Sequence, residues 1–145
     1  MTVFFTYNCT PWGLTEAATK KVSAFHRRQL RALIGVRWPH RISNEARYRT
    51  TGSRRFEEYA EEARMRMVGH VLRMDRAAPA QVAADLYFSA GRRRRGRPHA
   101  RLASSIAKDL RKAGLRFAKA RDLADLREIA SDRKKWRQIA RTLTY

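Results

Sequence analysis

The sequence is poor in the residues that build disulfide frameworks, metal sites and membrane spans. Its one cysteine, Cys9, excludes an internal disulfide and fits a reducing compartment. The four histidines, at positions 26, 40, 70 and 99, are scattered without CxxC or HxxxH spacing, so we expect no bound metal. No apolar run approaches the roughly 20 residues that cross a bilayer, and we expect neither a membrane span nor a signal peptide.

Acidic residues are also scarce, and none of the aspartates is clustered with another in the way that polymerases and nucleases need. Clustered carboxylates hold two Mg²⁺ ions in such enzymes. The aspartates here are spread singly and are Asp75, Asp85, Asp109, Asp122, Asp125 and Asp132. We therefore expect no independent catalysis and no cofactor.

The shortage of acids leaves a large positive charge on a chain that should fold. There are 13 acidic and 33 basic side chains among 145 residues, which gives a formal net charge of +20. The hydrophobic content of 43%, with three Trp, five Tyr and six Phe, is typical of a folded chain rather than a basic tail. A compact chain with this charge repels itself unless anions bind to it. Nucleic acid is therefore the expected partner, and we expect no membrane as a partner.

The most basic stretch is Gly91–Arg101, which reads GRRRRGRPHAR and contains no acid. It has no large apolar side chain to bury, and its glycines and proline break helix periodicity. The guanidinium groups of its arginines can form bidentate hydrogen bonds with phosphate oxygens. We interpret it as a loop that grips a polyanion; the alternatives are a solvated linker or a nuclear-import patch. Arg95–Pro98 also matches the RGRP core of peptides that enter A·T minor grooves. The expected nucleic-acid contacts are Arg92, Arg93, Arg94, Arg95, Arg97 and Arg101, supported by Arg27, Arg28 and Arg31.

Elsewhere apolar residues recur at spacings of three and four, which predicts an all-α fold of two small helical blocks joined by the arginine-rich loop. We expect a truncated stub at 1–14, a first block at 15–88, the loop at 89–101 and a second block at 102–145. Predicted helices cover about 16–34, 43–52, 53–74, 79–86, 102–113 and 117–143, with a break near Ser131 or Asp132. Thr15, Ser43 and Ser53 are the predicted N-caps.

Expected buried positions follow the apolar stripes of the predicted helices. For the first helix they are Val22, Phe25, Leu30, Leu33 and Ile34, and for the 53–74 helix they are Phe56, Ala60, Ala63, Met67, Val71 and Met74. The charged residues between 54 and 66 are expected to be solvated. We also expect Trp12, Trp38 and Trp136 to be core anchors rather than base-stacking groups, His70 to be a packing histidine and Gly69 to allow a close helix crossing.

Several motifs, in order, cover nearly the whole chain. They are Tyr7, Trp12, Leu14 and Thr15; Phe25-His26-Arg27-Arg28 with Leu30-Arg31, Ile34-Gly35 and Trp38; Arg41-Ile42-Ser43-Asn44; Arg64 and Arg66 with Gly69-His70-Val71-Leu72-Arg73-Met74; Gly91 to Pro98; and Asp132-Arg133 with Trp136-Arg137. This set resembles the region that follows the polymerase palm in LINE-type (non-LTR) retrotransposon reverse transcriptases, particularly RTE-like lineages. The sequence departs from the family pattern at Asn8, Thr10, Met67 and Leu102.

The resemblance implies a thumb-like, non-catalytic segment that holds template RNA, DNA or their hybrid. It also implies nuclear localisation after import from the cytoplasm, and the parent polymerase's fingers and palm as a further partner. Two alternatives stay open. One is a domesticated or decayed fragment that acts as a helical protein-interaction module, and the other is a fragment that regains activity when combined with a palm-containing chain.

Overall fold

The computed structural model describes residues 13–89, 102–115 and 122–142. Within these ranges the protein is all-α, with seven helices and no strand, so the predicted fold class is confirmed. The helices are α1 (Glu16–Leu33), α2 (Asn44–Thr51), α3 (Phe56–Leu72), α4 (Pro79–Ser89), α5 (Leu102–Lys112), α6 (Asp122–Ser131) and α7 (Arg133–Thr142). The joining of two blocks by an arginine-rich loop stays a prediction, because residues 90–101 lie outside the described ranges.

Local capping decides several of the helix boundaries. Thr15 and Ser43 each accept a hydrogen bond of 3.1 Å from the backbone N–H three residues later, as a side-chain N-cap does. Asp132 breaks the C-terminal pattern and caps α7, accepting backbone bonds of 2.8 and 3.1 Å that lower the pKa of its carboxyl. The prediction for Ser53 is wrong: α3 begins at Phe56, after Arg55, which makes no side-chain cap.

The helix α3 lies at the centre of the fold. It packs against α1, α4, α5, α6 and α7, while α2 packs on α1 and α7 on α6. Helices from both sides of the Gly91–Arg101 stretch therefore contribute to one core. Its buried members are Met65, Val68, Leu72, Ile106, Leu110, Leu123, Leu126, Ala130, Trp136 and Ala140.

Because α3 is surrounded by other helices, its buried surface is wider than the predicted stripe. Phe56 and Ala60 are buried as expected, but Met67 and Val71 are only half-buried. The charged residues that were expected in solvent include three that are buried, Glu61, Glu62 and Arg64. That expectation is wrong for these three side chains. All of them take part in ion pairs, which is how a helix interior to a bundle accommodates charge.

The most buried of these ion pairs joins α3 to α5. Arg64 donates from Nε to Asp109 Oδ2 at 2.7 Å and from Nη2 to Oδ1 at 3.3 Å, a bidentate geometry. The two side chains are 10% and 1% exposed. Burial raises the pKa of the Asp109 carboxyl, and the hydrogen bond from Arg64 opposes that rise. Glu61 pairs with Lys112 between the same two helices.

The contact between α3 and α7 requires a glycine. The Trp136 indole is 2% exposed, and its Nε1 donates to the Met65 carbonyl at 2.7 Å. A Cβ placed on Gly69 would lie 2.1 Å from the same Nε1, which is far inside any van der Waals contact. Both sequence predictions are confirmed: Trp136 is a core anchor and Gly69 allows the close crossing.

The buried side of α1 differs from its predicted stripe. Leu30 is buried, but Phe25 is 48% and Leu33 is 58% exposed, so the prediction is wrong for these two residues. The positions that are buried instead include Ser23 and His26. Ser23 donates to Glu57 of α3, so the contact between the two helices is partly polar. A pattern that scores only apolar residues misses such a face.

Replacing Gly69 with alanine tests the α3–α7 contact. Alanine in place of a helical glycine normally stabilises by about 0.5–1 kcal/mol. Here we expect a loss of about 1–3 kcal/mol in the free energy of unfolding, because the new methyl overpacks against Trp136. Urea denaturation measures it, and in a Trp136→Phe background the penalty of Gly69→Ala should shrink. A raised urea midpoint for the single variant would contradict the geometry.

Breaking the buried ion pair should be costly for a different reason. Asp109→Ala leaves the Arg64 guanidinium buried without its carboxylate, and we expect a loss of about 3–5 kcal/mol in urea unfolding. The double variant Arg64→Met/Asp109→Leu removes both charges and should lose clearly less. Equal losses in the single and double variants would show that the pair contributes only through packing volume.

Candidate nucleic-acid interface

The residues expected to contact nucleic acid fall into two groups. Arg92, Arg93, Arg94, Arg95, Arg97 and Arg101 lie outside the described residues, between α4 and α5. The same holds for the minor-groove motif Arg95–Pro98, which includes two of these arginines, Arg95 and Arg97. Arg27, Arg28 and Arg31 lie on α1 and are described. The geometry of the interface is therefore built from α1 and its neighbours.

The α1 arginines make no ion pair with any residue that the structure describes. Arg28 and Arg31 are exposed and Arg27 is half-buried. Arg27 and Arg31 are four residues apart, so they share one side of the helix and repel each other there. A phosphate beside them would replace that repulsion with attraction, whereas a carboxylate partner from the chain is missing in the described ranges.

The α1 arginines lack ion-pair partners because of where the acidic residues lie. All of the acidic residues lie within the described ranges. Residues 17–44 contain seven Lys or Arg and no acid. Many of the acidic side chains are engaged elsewhere: Glu61, Glu62, Asp85 and Asp109 in ion pairs, Glu57 with Ser23, and Asp132 as a cap. The α1 surface consequently keeps its positive charge.

A second basic group, Arg47 of α2, is buried beside this surface. It is 1% exposed and donates to Asn44 Oδ1 at 2.8 Å and to the Ile42 carbonyl at 3.4 Å, while its Nε has no hydrogen-bond partner. Burial lowers the pKa of Arg47, and the charges of Arg31 and Arg27 lower it further. In the described part of the chain no carboxylate reaches ion-pair distance of it. Arg47 thus adds positive potential behind the α1 surface.

The turn between α1 and α2 forms a cleft of about 390 Å³ beside Arg31. We call it the turn cleft; its lining residues are Arg31, Val36, Trp38, His40, Arg41 and Ile42. Trp38 is 87% exposed, so the prediction that it anchors the core is wrong. Arg31, His40 and Arg41 are also exposed, and no acid lines the cleft.

Sequence reasoning did not find the turn cleft, although a signal was available. The segment 36–42 reads VRWPHRI, with its tryptophan among basic residues and without helical apolar spacing. A tryptophan in such surroundings is a weaker core candidate than one in an amphipathic stripe such as Trp136. The neighbourhood of Arg31 could not be inferred, because it depends on how the turn folds back on α1.

The burial of the histidines differs from the prediction. His70 is exposed, so the prediction that it packs in the core is wrong. Among the described histidines, His26 of α1 is the buried one, at 4% exposure, with its ring near that of Tyr48. Burial lowers the pKa of His26, against the opposing charge of Glu57. Cys9, Trp12 and His99 lie outside the described residues.

A second cleft, of about 340 Å³, lies between α3, α4 and α5. Its lining is entirely apolar: Met67, Val68, Val71, Leu72, Ala80, Ala83, Ala84, Leu102 and Ile106. None of these described lining residues carries a proton donor or a nucleophile on its side chain. Among the residues that the structure describes, no three His, Cys, Asp or Glu side chains are arranged to hold a metal ion. None of the described helices is both long enough and apolar enough to span a membrane.

No protein-family model matches the sequence, and neither a curated protein nor a solved structure is significantly similar to it.

Proposed function

We propose that the protein is a non-catalytic nucleic-acid-binding segment that holds RNA, DNA or their hybrid through arginine–phosphate contacts. By the resemblance described above, it is the thumb-like and basic C-terminal region of a LINE-type reverse transcriptase, acting in the nucleus beside the fingers and palm of the parent polymerase. Charge neutralisation and positioning of the strand are its roles, with little reading of base identity.

The observation that supports this proposal most strongly is the unpaired positive surface of α1. Arg27, Arg28 and Arg31 have no ion-pair partner in the described ranges, and the buried Arg47 reinforces their charge. Self-repulsion on this scale favours a bound polyanion. The Gly91–Arg101 stretch adds six arginines with no acid among them, on sequence grounds alone.

The alternative is the helical protein-interaction module, and one observation favours it. The apolar cleft between α3, α4 and α5 has the lining expected of a groove that accepts an apolar side chain. The two functions differ in salt dependence: phosphate contacts weaken steeply as salt rises, and an apolar contact does not. Salt titration of binding therefore separates them.

Removing the α1 arginines should weaken nucleic-acid binding without unfolding the protein. We expect Arg27→Ala/Arg28→Ala/Arg31→Ala to reduce the log–log salt slope on B-DNA by up to about 2.7, at roughly 0.9 per contact, and by less on single strands. Fluorescence anisotropy at several salt concentrations measures the slope. The melting temperature should change little, since these side chains make no ion pair in the described ranges.

The matched control carries the same loss of charge on another helix. Lys134→Ala/Lys135→Ala/Arg137→Ala removes three exposed positive charges from α7, which packs against α3 and α6. We expect its salt slope to stay close to that of the unchanged protein. Equal slopes for the two triple variants would mean that binding is spread over the whole surface, and the α1 assignment would fail.

The Gly91–Arg101 stretch makes a separate prediction. Arg92→Ala/Arg93→Ala/Arg94→Ala/Arg95→Ala should reduce the salt slope by about two to four units if these arginines contact phosphates. The loss should be similar on A·T-rich and G·C-rich duplexes, because phosphates carry no base identity. A loss confined to A·T-rich duplexes would indicate minor-groove insertion by Arg95 and Arg97 instead. An unchanged slope would leave the stretch as a linker.

A further inference from the structure

We propose that the turn cleft binds one unstacked nucleotide of a single strand, with Trp38 against the base and Arg31 and Arg41 on the phosphates. This inference rests on the proposed function and deepens it, because it assigns a site and a strand type to what is otherwise charge neutralisation. Of the residues that line the cleft, only Arg31 was already expected to contact nucleic acid.

Trp38 is the most exposed large hydrophobic side chain among the described residues. An indole that is 87% exposed leaves a large apolar face in water, which is unfavourable unless a partner covers it. Every base presents a π face of matching size, and base–aromatic stacking tolerates any sequence. Among the described tryptophans, Trp136 is buried and bonded to Met65, so only Trp38 can offer such a platform.

The surroundings of Trp38 are positively charged. Arg31 and Arg41 line the same cleft with their guanidinium groups outside any ion pair in the described ranges, and His40 lies with them. No carboxylate lines the cleft, and Arg47 is buried behind Ile42, to whose carbonyl it donates. An apolar ring flanked by cations and no anion suits a nucleotide better than an apolar peptide.

The volume of the turn cleft and the stacking of bases in duplexes indicate which type of strand can bind. The cleft of about 390 Å³ falls in the range of about 300–1,000 Å³ that small-molecule sites occupy, so it admits a base and its sugar but no duplex. Within a duplex, away from its ends, each base face is already stacked on its neighbours. Only an unstacked base can cover Trp38, which selects single strands, loops or strand ends.

The test compares two single strands that differ only in their bases. Labelled oligo(dT) is titrated by fluorescence anisotropy against Trp38→Ala, beside an abasic strand of the same length and a blunt duplex. We expect Trp38→Ala to weaken the binding of oligo(dT) by about 5- to 150-fold, which is the range for losing one base–aromatic stack. The abasic strand and the duplex should bind Trp38→Ala as tightly as they bind the unchanged protein. The Trp38→Phe variant should recover part of the lost affinity for oligo(dT).

The arginines are tested with a charge-matched control. Arg31→Ala/Arg41→Ala should weaken oligo(dT) and the abasic strand by the same factor, because both carry the same phosphates. Lys134→Ala/Arg137→Ala, which removes two exposed charges from α7, should weaken each of them by clearly less. Thermal melting of every variant establishes that the fold is kept; Trp38, Arg31 and Arg41 are exposed, so their loss should leave it intact.

Three outcomes would overturn the turn-cleft site. They are no loss of oligo(dT) binding in Trp38→Ala, an equal loss on the abasic strand, or an equal loss on the blunt duplex. In each of these cases salt-dependent binding that still needs Arg27 and Arg28 leaves the proposed function standing. If neither strand nor duplex binds at any salt concentration, the proposed function itself fails.

Discussion

The indole of Trp136 pressed against the backbone of α3 is the contact on which the rest of the packing depends. A buried indole N–H needs an acceptor, and here it takes the Met65 carbonyl, which in an α-helix already accepts the amide four residues on. Such an approach to a helix backbone is possible only where a side chain is missing, and Gly69 supplies that gap. The α7 helix has ten residues and would be marginal alone, so this contact holds it in place.

Several of the features that sequence reasoning predicted correctly are decided by neighbouring residues. Thr15, Ser43 and Asp132 cap helices through amides two or three residues away, and a cap of this kind is readable from a short window. The burial of charged residues is not readable in this way. Arg64 and Asp109 are 45 positions apart, and only the packing of α5 on α3 turns two solvent-seeking side chains into a buried pair.

The candidate site shows the same division. The positive character of α1 follows directly from residues 17–44, which hold no acid. Trp38 was misjudged because its type favours burial, while its place in the turn between α1 and α2 leaves it 87% exposed. Whether a tryptophan packs or faces solvent depends on which element lies over it. The basic residues around Trp38 make it a weaker core candidate, but they do not specify which element lies over it.

The protein uses separate sets of charges for folding and for its exterior. Glu61, Glu62, Asp85 and Asp109 are engaged with basic partners in the fold, and this leaves the arginines of α1 without carboxylates. Salt acts differently on the Arg64–Asp109 pair and on the exposed arginines, because a buried pair is screened little whereas exposed charges are screened within about 8 Å at physiological ionic strength. The proposed anion binding on α1 would therefore weaken as salt rises, while the Arg64–Asp109 pair would be little affected.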